Sequence, residues 1–312
     1  MSAKKILVSE VGPRDGLQSI KTIMPTAAKK RWICDEAAAG VAEIEVGSFV
    51  PAKLLPQLAD TAELVAFARD IEGLSVAALV PNRIGAQRAV EAGATKMSLP
   101  LSASETHSKA NLRRSHAEVF REIAEIIDML AALPAARRPR FEVGIATAFG
   151  CSIEGVVPEG KVVELAAKAI EAGADEVGLS DTTGSANPAQ IKRLVKLVRA
   201  EVGDDRLTGV HLHNTRGLGI ANALAALEVG ITTLDSSLGG LGGCPAAPGA
   251  SGNIVTEDLV FMLNSMGYDT GIDLKKLLDV RRGVAEFLPA DEFYGFTAAA
   301  GLPLGHDGGR WG

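Results

Sequence analysis

The chain has few of the features that mark secreted, membrane-spanning and signal-bearing proteins. Its 312 residues include three cysteines, Cys34, Cys151 and Cys244, an odd and small set that argues against a disulfide framework and indicates a reducing compartment. No window reaches the roughly 18 uninterrupted apolar residues of a membrane span. The opening segment lacks the apolar core and small-residue cleavage site of a signal peptide. Together these absences predict a cytoplasmic protein with no membrane partner.

Positive charge is also scarce. The chain carries 32 lysines and arginines against 38 aspartates and glutamates, a formal net charge of −6. Nucleic-acid binding needs basic stripes that displace counterions from phosphates, whereas the basic runs at 111–114 and 136–140 are short and typical of solvated surface. We therefore expect no nucleic-acid partner.

An irregular internal repeat is the main feature that the sequence does contain. In each copy, an alanine-rich helical run ends at a glycine, which easily takes the left-handed conformation that terminates helices. A strand-like apolar run ending in polar residues then follows. The four copies span residues 35–48, 89–100, 169–182 and 226–237.

Further strand-like runs between the repeats bring the number of predicted strands to eight. They span residues 5–10, 42–46, 74–80, 95–99, 141–147, 175–180, 207–213 and 231–236. Helical stretches, including 117–133 and 188–202, separate them, and this alternation predicts a parallel sheet. Eight such units match the size of a (β/α)₈ barrel. The alternative is an open doubly wound sheet, but the first strand is followed by "VGPRDGLQ" in place of a Rossmann G-x-G-x-x-G.

We accordingly predict an α/β fold of the TIM-barrel class. The barrel is expected over residues 1–270, and residues 271–312 are expected to form a C-terminal helical extension with a flexible tail. In such barrels, catalytic residues lie where strands end and the following loops begin. The candidates selected by that rule are Arg14, Asp15, Gln18 and Lys21 after the first strand, Glu45 and Ser48 after the second, Asp181 after the sixth, His211 and His213 at the seventh, and Cys244 and Asn253 after the eighth.

The seventh strand carries two histidines in the stretch "GVHLHNTRG". Alternate residues of a strand face the same way, so His211 and His213 are expected to point together into the barrel. This placement suits two imidazoles on one metal ion, although an H-x-H pair can also just satisfy local hydrogen bonds. Asp15 and the amide oxygen of Asn253 would complete a nitrogen and oxygen set that suits Mg²⁺ or Mn²⁺ better than structural zinc.

A glycine-rich segment, "GGLGGCPAAPGASGN", follows the eighth strand at residues 239–253. It does not contain a P-loop motif, and long loops in compact domains are usually either disordered or functional lids. Cys244, if exposed beside a metal ion and an arginine, would have a lowered pKa suited to acid or base chemistry. His107, in the loop after the fourth strand, is a candidate for the mouth of the site.

The stretches "EVGPRDGLQ", "IEVGSFV", "HLHN" and "DSSLGGLGGCPAAPGASGN" together resemble the 3-hydroxy-3-methylglutaryl-CoA (HMG-CoA) lyases, members of a group of metal-dependent lyase and synthase barrels. The similarity runs in order from the first predicted strand into the C-terminal extension. It implies retro-Claisen cleavage of an HMG-CoA-type acyl-CoA to acetyl-CoA and a keto acid, which is acetoacetate for HMG-CoA. It also implies a place in leucine degradation and a homodimer.

The same resemblance assigns roles to individual residues. The implied ligands of Mg²⁺ or Mn²⁺ are Asp15, His211, His213 and Asn253. Arg14 is implied to stabilise the enolate oxygen. The remaining catalytic assignments are Glu45, Asp181, His211, Cys244 and Glu257, with Asp181 and His211 as rival general bases. On the substrate side the resemblance implies Lys21 beside Arg14, and Gln18, Ser48 and His107 are added as candidates from their places after the first, second and fourth strands.

Two segments depart from the lyase pattern. The lyases commonly read H-x-H-D-T-Y-G, whereas Asn214 and Arg216 here resemble the sister synthases, such as isopropylmalate synthase. Thr106 and His107 replace an apolar and aromatic pair in a loop that borders the acyl site. These departures leave three alternatives open: a lyase for citramalyl-CoA or a longer-branched analogue, a synthase that condenses acetyl-CoA with a 2-keto acid, and a non-catalytic barrel that binds acyl-CoA.

Overall fold

The structure, a computed structural model, describes residues 3–242 and 252–306. Within these ranges, eight parallel strands pair in chain order, and the first strand pairs with the last, so the sheet closes into a barrel. The predicted (β/α)₈ fold is confirmed. The strands are β1 Leu7–Glu10, β2 Glu43–Ser48, β3 Ser75–Leu79, β4 Lys96–Ser102, β5 Arg140–Ala146, β6 Glu176–Asp181, β7 Gly209–Leu212 and β8 Thr233–Ser236.

Helices cover the outside of the barrel and fill the connections between strands. In the described part of the chain they are α1 Thr26–Ala38, α2 Thr61–Ala68, α3 Arg83–Ala92, α4 Glu105–Asn111, α5 His116–Ala131, α6 Glu159–Glu171, α7 Pro188–Val202, α8 Gly219–Glu228, α9 Thr256–Ser265, α10 Leu274–Ala285 and α11 Phe296–Ala300. None of these described helices combines the length and the apolar character that crossing a bilayer requires.

Helix α5 illustrates how the local sequence determines an element. Ser115 and Glu118 form a reciprocal capping box that satisfies free amides at the start of the helix. Val119, Ile123, Ile126 and Leu130 recur at helical spacing and are fully or almost fully buried. This apolar stripe packs the helix against the barrel, because burying it removes apolar surface from water.

Some predicted ends of strands and helices differ from the observed ones. Strand β4 runs to Ser102 instead of residue 99, because its register with β5 continues through the pair Ser102 and Ala146. Strand β2 similarly reaches Ser48 through an irregularity in its pairing with β3. Helix α5 ends at Ala131, two residues before the predicted end, since Pro134 disfavours helical conformation in the residue before it.

The amino-terminal end of the barrel lumen is ionic. Lys96 Nζ lies 2.8 Å from Glu142, 3.2 Å from Glu176 and 3.4 Å from Glu43. One ammonium group thus gathers carboxylates from three other strands. This cluster occupies the end of the lumen opposite the strand ends that carry the candidate site.

The C-terminal extension packs onto the barrel. The Asp273 amide donates to Ala39 at the end of α1 at 2.8 Å, and Asp273 also caps α10. Part of the predicted flexible tail has a packed position, because His306 is buried with its ring 5.4 Å from that of Phe261. Residues 307–312 lie outside the described residues, and the domain boundary at residue 270 stays a prediction.

Candidate active site

A single π-type turn after β1, Gly12–Gly16, carries the first two candidate residues. The amides of Arg14, Asp15 and Gly16 all point at the carbonyl oxygen of Val11, at 3.1, 2.7 and 3.4 Å. This tight wrapping brings Arg14 and Asp15, which are adjacent in sequence, to the carboxyl-terminal mouth of the barrel together.

Arg14 forms ion pairs with two carboxylates. Its Nε pairs with Glu45 from the end of β2, and its NH1 pairs with Asp15. Burial disfavours the charged guanidinium, yet the charges of Glu45 and Asp15 outweigh this effect and hold the pKa of Arg14 above its ordinary value. Ser98 fixes the far side of Glu45 by donating to Oε1 at 2.8 Å. The result is a permanent, oriented cation at the mouth of the barrel.

Asp15, His211 and His213 bring three potential ligand atoms together. The two Nε2 atoms are 3.0 Å apart, and they lie 3.9 and 3.8 Å from Asp15 Oδ2. Gln18 donates to the other carboxylate oxygen, Oδ1, at 2.9 Å. This side of Asp15 is therefore occupied, and Oδ2 faces the histidines. Within the described residues, this is the group of three that could hold a metal ion.

Asn253 lies beside these three residues, and its hydrogen bonds show whether the cluster suits a cation. Its Nδ2 donates to Asp15 Oδ2 at 2.8 Å and to the Leu241 carbonyl at 3.1 Å. Its buried Oδ1 has no hydrogen-bond partner among the described residues, which is costly for an amide oxygen. Two imidazoles, one carboxylate and one unsatisfied amide oxygen form a donor set that fits a divalent ion.

The histidines differ in their electrostatic environment. Burial lowers the pKa of His211, but its hydrogen bond to Asp235 and the charge of Asp15 raise it above the ordinary value overall. Burial and the neighbouring His211 lower the pKa of His213 to about 4. For Asp15, burial opposes ionisation, but Arg14 and the two histidines hold the pKa well below its usual range. His213 is therefore neutral at physiological pH, as a metal ligand must be.

Asp235 was not among the predicted site residues. Its Oδ2 lies 3.1 Å from His211 Nδ1 and leaves Nε2 of that ring facing Asp15 and His213. The strand alternation contains a signal for it, because Asp235 pairs with His211 across β7 and β8 and shares its lumen face. Carboxylate partners of this kind commonly orient metal-binding histidines.

Asp181 ends β6, as predicted, but its carboxylate is engaged by its own loop. The oxygens accept from the amides of Ser185 at 2.8 Å and Ala186 at 3.1 Å. Burial raises the pKa of Asp181, and these two amides partly offset the rise.

Three other predicted residues, Ser48, His107 and Lys21, lie outside the metal cluster. Ser48 is buried and its Oγ accepts from the Val50 amide at 3.3 Å. The buried His107 ring bonds Ser102 Oγ at 2.8 Å, and burial lowers its pKa. Lys21 is exposed. Cys244 lies outside the described residues.

Glu257 is the predicted catalytic residue that lies behind the site. Its fully buried carboxyl group in α9 accepts from the Gly239 amide at 3.0 Å and pairs with Arg281 at 2.7 Å. These contacts connect it to the start of the glycine-rich loop. The strand-end rule does not apply to Glu257, because the residue belongs to the helix that follows the loop.

The residues that departed from the lyase pattern hold loops in place. Asn214 Oδ1 accepts from the Gly219 amide at the start of α8 at 2.9 Å. Arg216 NH1 donates to the carbonyls of Thr183 and Gly184 at 3.0 and 2.9 Å. Asn214 thus fixes its own loop to the start of α8, and Arg216 joins the loops after β6 and β7. Neither contact gives a direct argument for a synthase.

Comparisons with known proteins agree with this geometry. The HMGL-like family model matches residues 5–284. The hydroxymethylglutaryl-CoA lyase YngG of Bacillus subtilis is 38% identical over 283 residues, which cover 91% of this chain and 93% of the relative. The mitochondrial hydroxymethylglutaryl-CoA lyase of Gallus gallus is 41% identical over 278 residues, covering 88% and 91%. A solved HMG-CoA lyase from Acinetobacter baumannii, in complex with coenzyme A and 3-methylmalate, matches with a TM-score of 0.90 at 42% identity over 96% of each chain.

Proposed function

The chain belongs to the HMGL-like family and is a carbon–carbon lyase, and on that premise we propose that it cleaves HMG-CoA to acetyl-CoA and acetoacetate with a divalent cation. The observation that carries the proposal is the convergence of Asp15, His211 and His213 beside a fixed arginine at the barrel mouth. That combination supplies what a retro-Claisen cleavage requires: a site for a cation and a positive group for the departing enolate.

Asp15, His211, His213 and Asn253 would hold the cation. When bound, it supplies positive charge that makes the tertiary hydroxyl of the substrate easier to deprotonate. A mixed nitrogen and oxygen donor set favours Mg²⁺ or Mn²⁺ over structural zinc. This donor set supports our choice of these two ions.

Arg14 is assigned to the thioester carbonyl, where charge develops as the carbon–carbon bond breaks. A positive group that is already oriented stabilises such charge without reorganising during the reaction. Glu45 and Ser98 supply the orientation by holding the guanidinium from behind. Gln18, Lys21, Ser48 and His107 are assigned to the substrate side because they follow the first, second and fourth strands.

Proton transfer needs a base for the hydroxyl and an acid for the acetyl-CoA carbon. We assign the base to Asp181, with His211 as the alternative, and the acid to Cys244. Burial raises the pKa of Asp181, which brings a carboxylate closer to the range useful for a base. Replacing Asp181 by Asn tests the assignment: a large loss of kcat with unchanged cation affinity supports it, and nearly full kcat transfers the role to His211.

The test of the reaction is an assay of purified protein with Mg²⁺ or Mn²⁺ against HMG-CoA and citramalyl-CoA, with products identified by mass spectrometry. We expect acetyl-CoA and acetoacetate from HMG-CoA. Faster cleavage of citramalyl-CoA would move the proposal to a related lyase. Condensation of acetyl-CoA with a 2-keto acid, without cleavage of either substrate, would replace it with a synthase, and acyl-CoA binding without turnover would identify a silent barrel.

Two further proposals, a homodimer and a role in leucine degradation, rest on family resemblance, and a cytoplasmic location is proposed from the small, odd number of cysteines. Sedimentation of the purified protein tests the dimer.

A further inference from the structure

Glu10, at the end of β1, joins three segments that are far apart in sequence. Its Oε1 accepts from the Gly12 amide at 2.7 Å and from the Leu238 amide at 2.9 Å. Its Oε2 accepts from the hydroxyl of Thr256 at 2.7 Å. The side chain is fully buried, so the hydrogen bonds are shielded from water.

Each of the three segments carries or adjoins part of the candidate site. Gly12 opens the turn that bears Arg14 and Asp15. Leu238 opens a short 3₁₀ turn, Leu238–Gly240, from which the glycine-rich loop departs. Thr256 begins α9 three residues after Asn253. Glu10 therefore connects the segments that carry the two ligands outside the histidine pair.

The packing around Glu10 leaves little freedom for these segments. A Cβ on Gly12 would lie 2.6 Å from Glu10 Oε1 and 2.8 Å from the Trp32 ring, so only glycine lets the turn approach this closely. Burial raises the pKa of Glu10 to about 8, and its three hydrogen bonds pull it back. Oε1 can accept both amide hydrogens in either charge state of the group, so the connection does not depend on ionisation.

The base of the loop is held from its other side as well. Glu257 accepts from the amide of Gly239, the residue next to Leu238. The Tyr294 amide donates to the Gly239 carbonyl at 2.7 Å. Gly239 and Gly240 both take positive φ values, 63° and 65°, and a Cβ on Gly239 would lie 2.2 Å from Phe293. A loop base built so tightly transmits a shift at Leu238 to its neighbours.

We propose that Glu10 is a positioning residue: it sets the mutual placement of the Arg14–Asp15 turn, the Leu238–Gly240 turn and Asn253, and thereby the affinity for the cation. The proposal builds on the proposed function, because it assigns a purpose to the placement of those groups. It does not require that HMG-CoA be the substrate. Glu10 acts through the ligands and does not touch the reacting atoms.

The test compares Glu10→Met, which removes the acceptor at similar size, with Glu10→Gln, which keeps an oxygen for the two amides. Glu43→Met is the matched control, because it removes another buried carboxylate at the opposite end of the barrel. The readouts are the Mn²⁺ dissociation constant from equilibrium dialysis, amide exchange of the peptide spanning residues 237–242 in metal-free protein, and kcat.

We expect Glu10→Met to raise the Mn²⁺ dissociation constant about tenfold to hundredfold, the range typical of residues behind metal ligands, and to speed exchange at Leu238. In Glu10→Gln the Mn²⁺ dissociation constant should stay within about threefold of the wild-type value, because the amide oxygen still accepts from both backbone amides. Glu43→Met should leave it unchanged. Wild-type Mn²⁺ affinity in Glu10→Met would overturn the proposal, as would an equal loss in Glu43→Met.

A second pair of variants covers the case in which Glu10→Met does not fold. Thr256→Val removes the hydroxyl that bonds Oε2, whereas Thr256→Ser keeps it. We expect Thr256→Val to weaken Mn²⁺ binding and Thr256→Ser to restore it; equal affinities in the two variants would contradict the connection. If the wild-type protein cleaves no acyl-CoA while these affinity differences appear, the proposed function fails and the role of Glu10 stands.

Discussion

At the scale of single residues, the site depends on pairs in which one side chain fixes another. Glu45 holds Arg14, Gln18 holds one oxygen of Asp15, and Asp235 holds one nitrogen of His211. In each case the free face of the held group points towards the metal cluster or the barrel mouth. The chemistry of the site should therefore respond to the partners as well as to the groups themselves.

Replacing Arg14 by Gln tests the first of these pairs. The amide keeps polar atoms near Glu45 and Asp15 but removes the positive charge, so kcat should fall about a hundredfold to a thousandfold, the range seen when a donor to a developing oxyanion is lost. The thermal midpoint should fall as well, because Glu45 and Asp15 lose the cation that compensates their largely buried charges, so turnover is compared well below the midpoint. Turnover in an acetyl-CoA release assay near the wild-type rate would contradict the role.

Asp235→Asn tests the orientation of His211. The substitution keeps a hydrogen-bonding group at the same distance but removes the charge that favours a proton on Nδ1 of the ring. We expect the Mn²⁺ dissociation constant to rise about tenfold or more, measured by equilibrium dialysis. Asp175→Asn, in the loop between α6 and β6, is the control, and an unchanged affinity in Asp235→Asn would remove Asp235 from the account.

Residue types and strand alternation predict part of this arrangement and miss another part. The alternation of β7 predicts that His211 and His213 share a lumen face, and the structure brings them together with Asp15. Glu10 carried a signal that the strand-end rule does not use: it follows Ile6 and Val8 on the helix-facing side of β1, where an apolar residue is expected. A carboxyl group at such a position indicates a buried hydrogen-bonding partner.

At the scale of elements, the repeat of strand and helix predicts the barrel because each element is amphipathic with its own period. The ends of β2 and β4 were underestimated because register with a neighbouring strand, which is a non-local property, determines how far a strand continues. The position of Glu257 could not be predicted for a related reason. The direction of a side chain in α9 depends on how that helix docks against the loop base and Arg281.

The buried carboxyl group of Glu10, at the end of β1, should make the stability of the fold depend on pH. The pKa of Glu10 rises from an ordinary 4.5 to about 8 in the folded protein, so the folded state binds its proton more tightly than the unfolded state. The stabilisation that this proton gives the folded state is complete below pH 4.5 and is lost as the pH rises through about 8.

Urea unfolding across this range measures the effect. The free energy of unfolding of wild type should fall with rising pH by on the order of a few kcal/mol through this group. In Glu10→Gln, which has no titrating proton at this position, the fall should be smaller. Parallel pH profiles for the two proteins would show that Glu10 does not titrate in this window.

At the scale of the whole molecule, one end of the barrel carries a structural ion-pair cluster and the other carries the candidate active site. The amino-terminal end is closed by the ionic cluster around Lys96, and the carboxyl-terminal end gathers ligands from β1, β7 and the segment before α9. The C-terminal extension reaches back to the loop base through Tyr294. The C-terminal extension is thus tied at Tyr294 to the end of the barrel where β1 ends.

We propose that cleavage of HMG-CoA at this barrel mouth requires a bound divalent cation. The most direct measurement incubates chelator-treated protein with HMG-CoA, with and without added Mg²⁺ or Mn²⁺, and follows acetyl-CoA and acetoacetate by mass spectrometry. We predict equal amounts of both products, formed only when the cation is present and absent in Asp15→Asn. Cleavage that continues at the same rate in the chelated protein, or in Asp15→Asn, would contradict the claim.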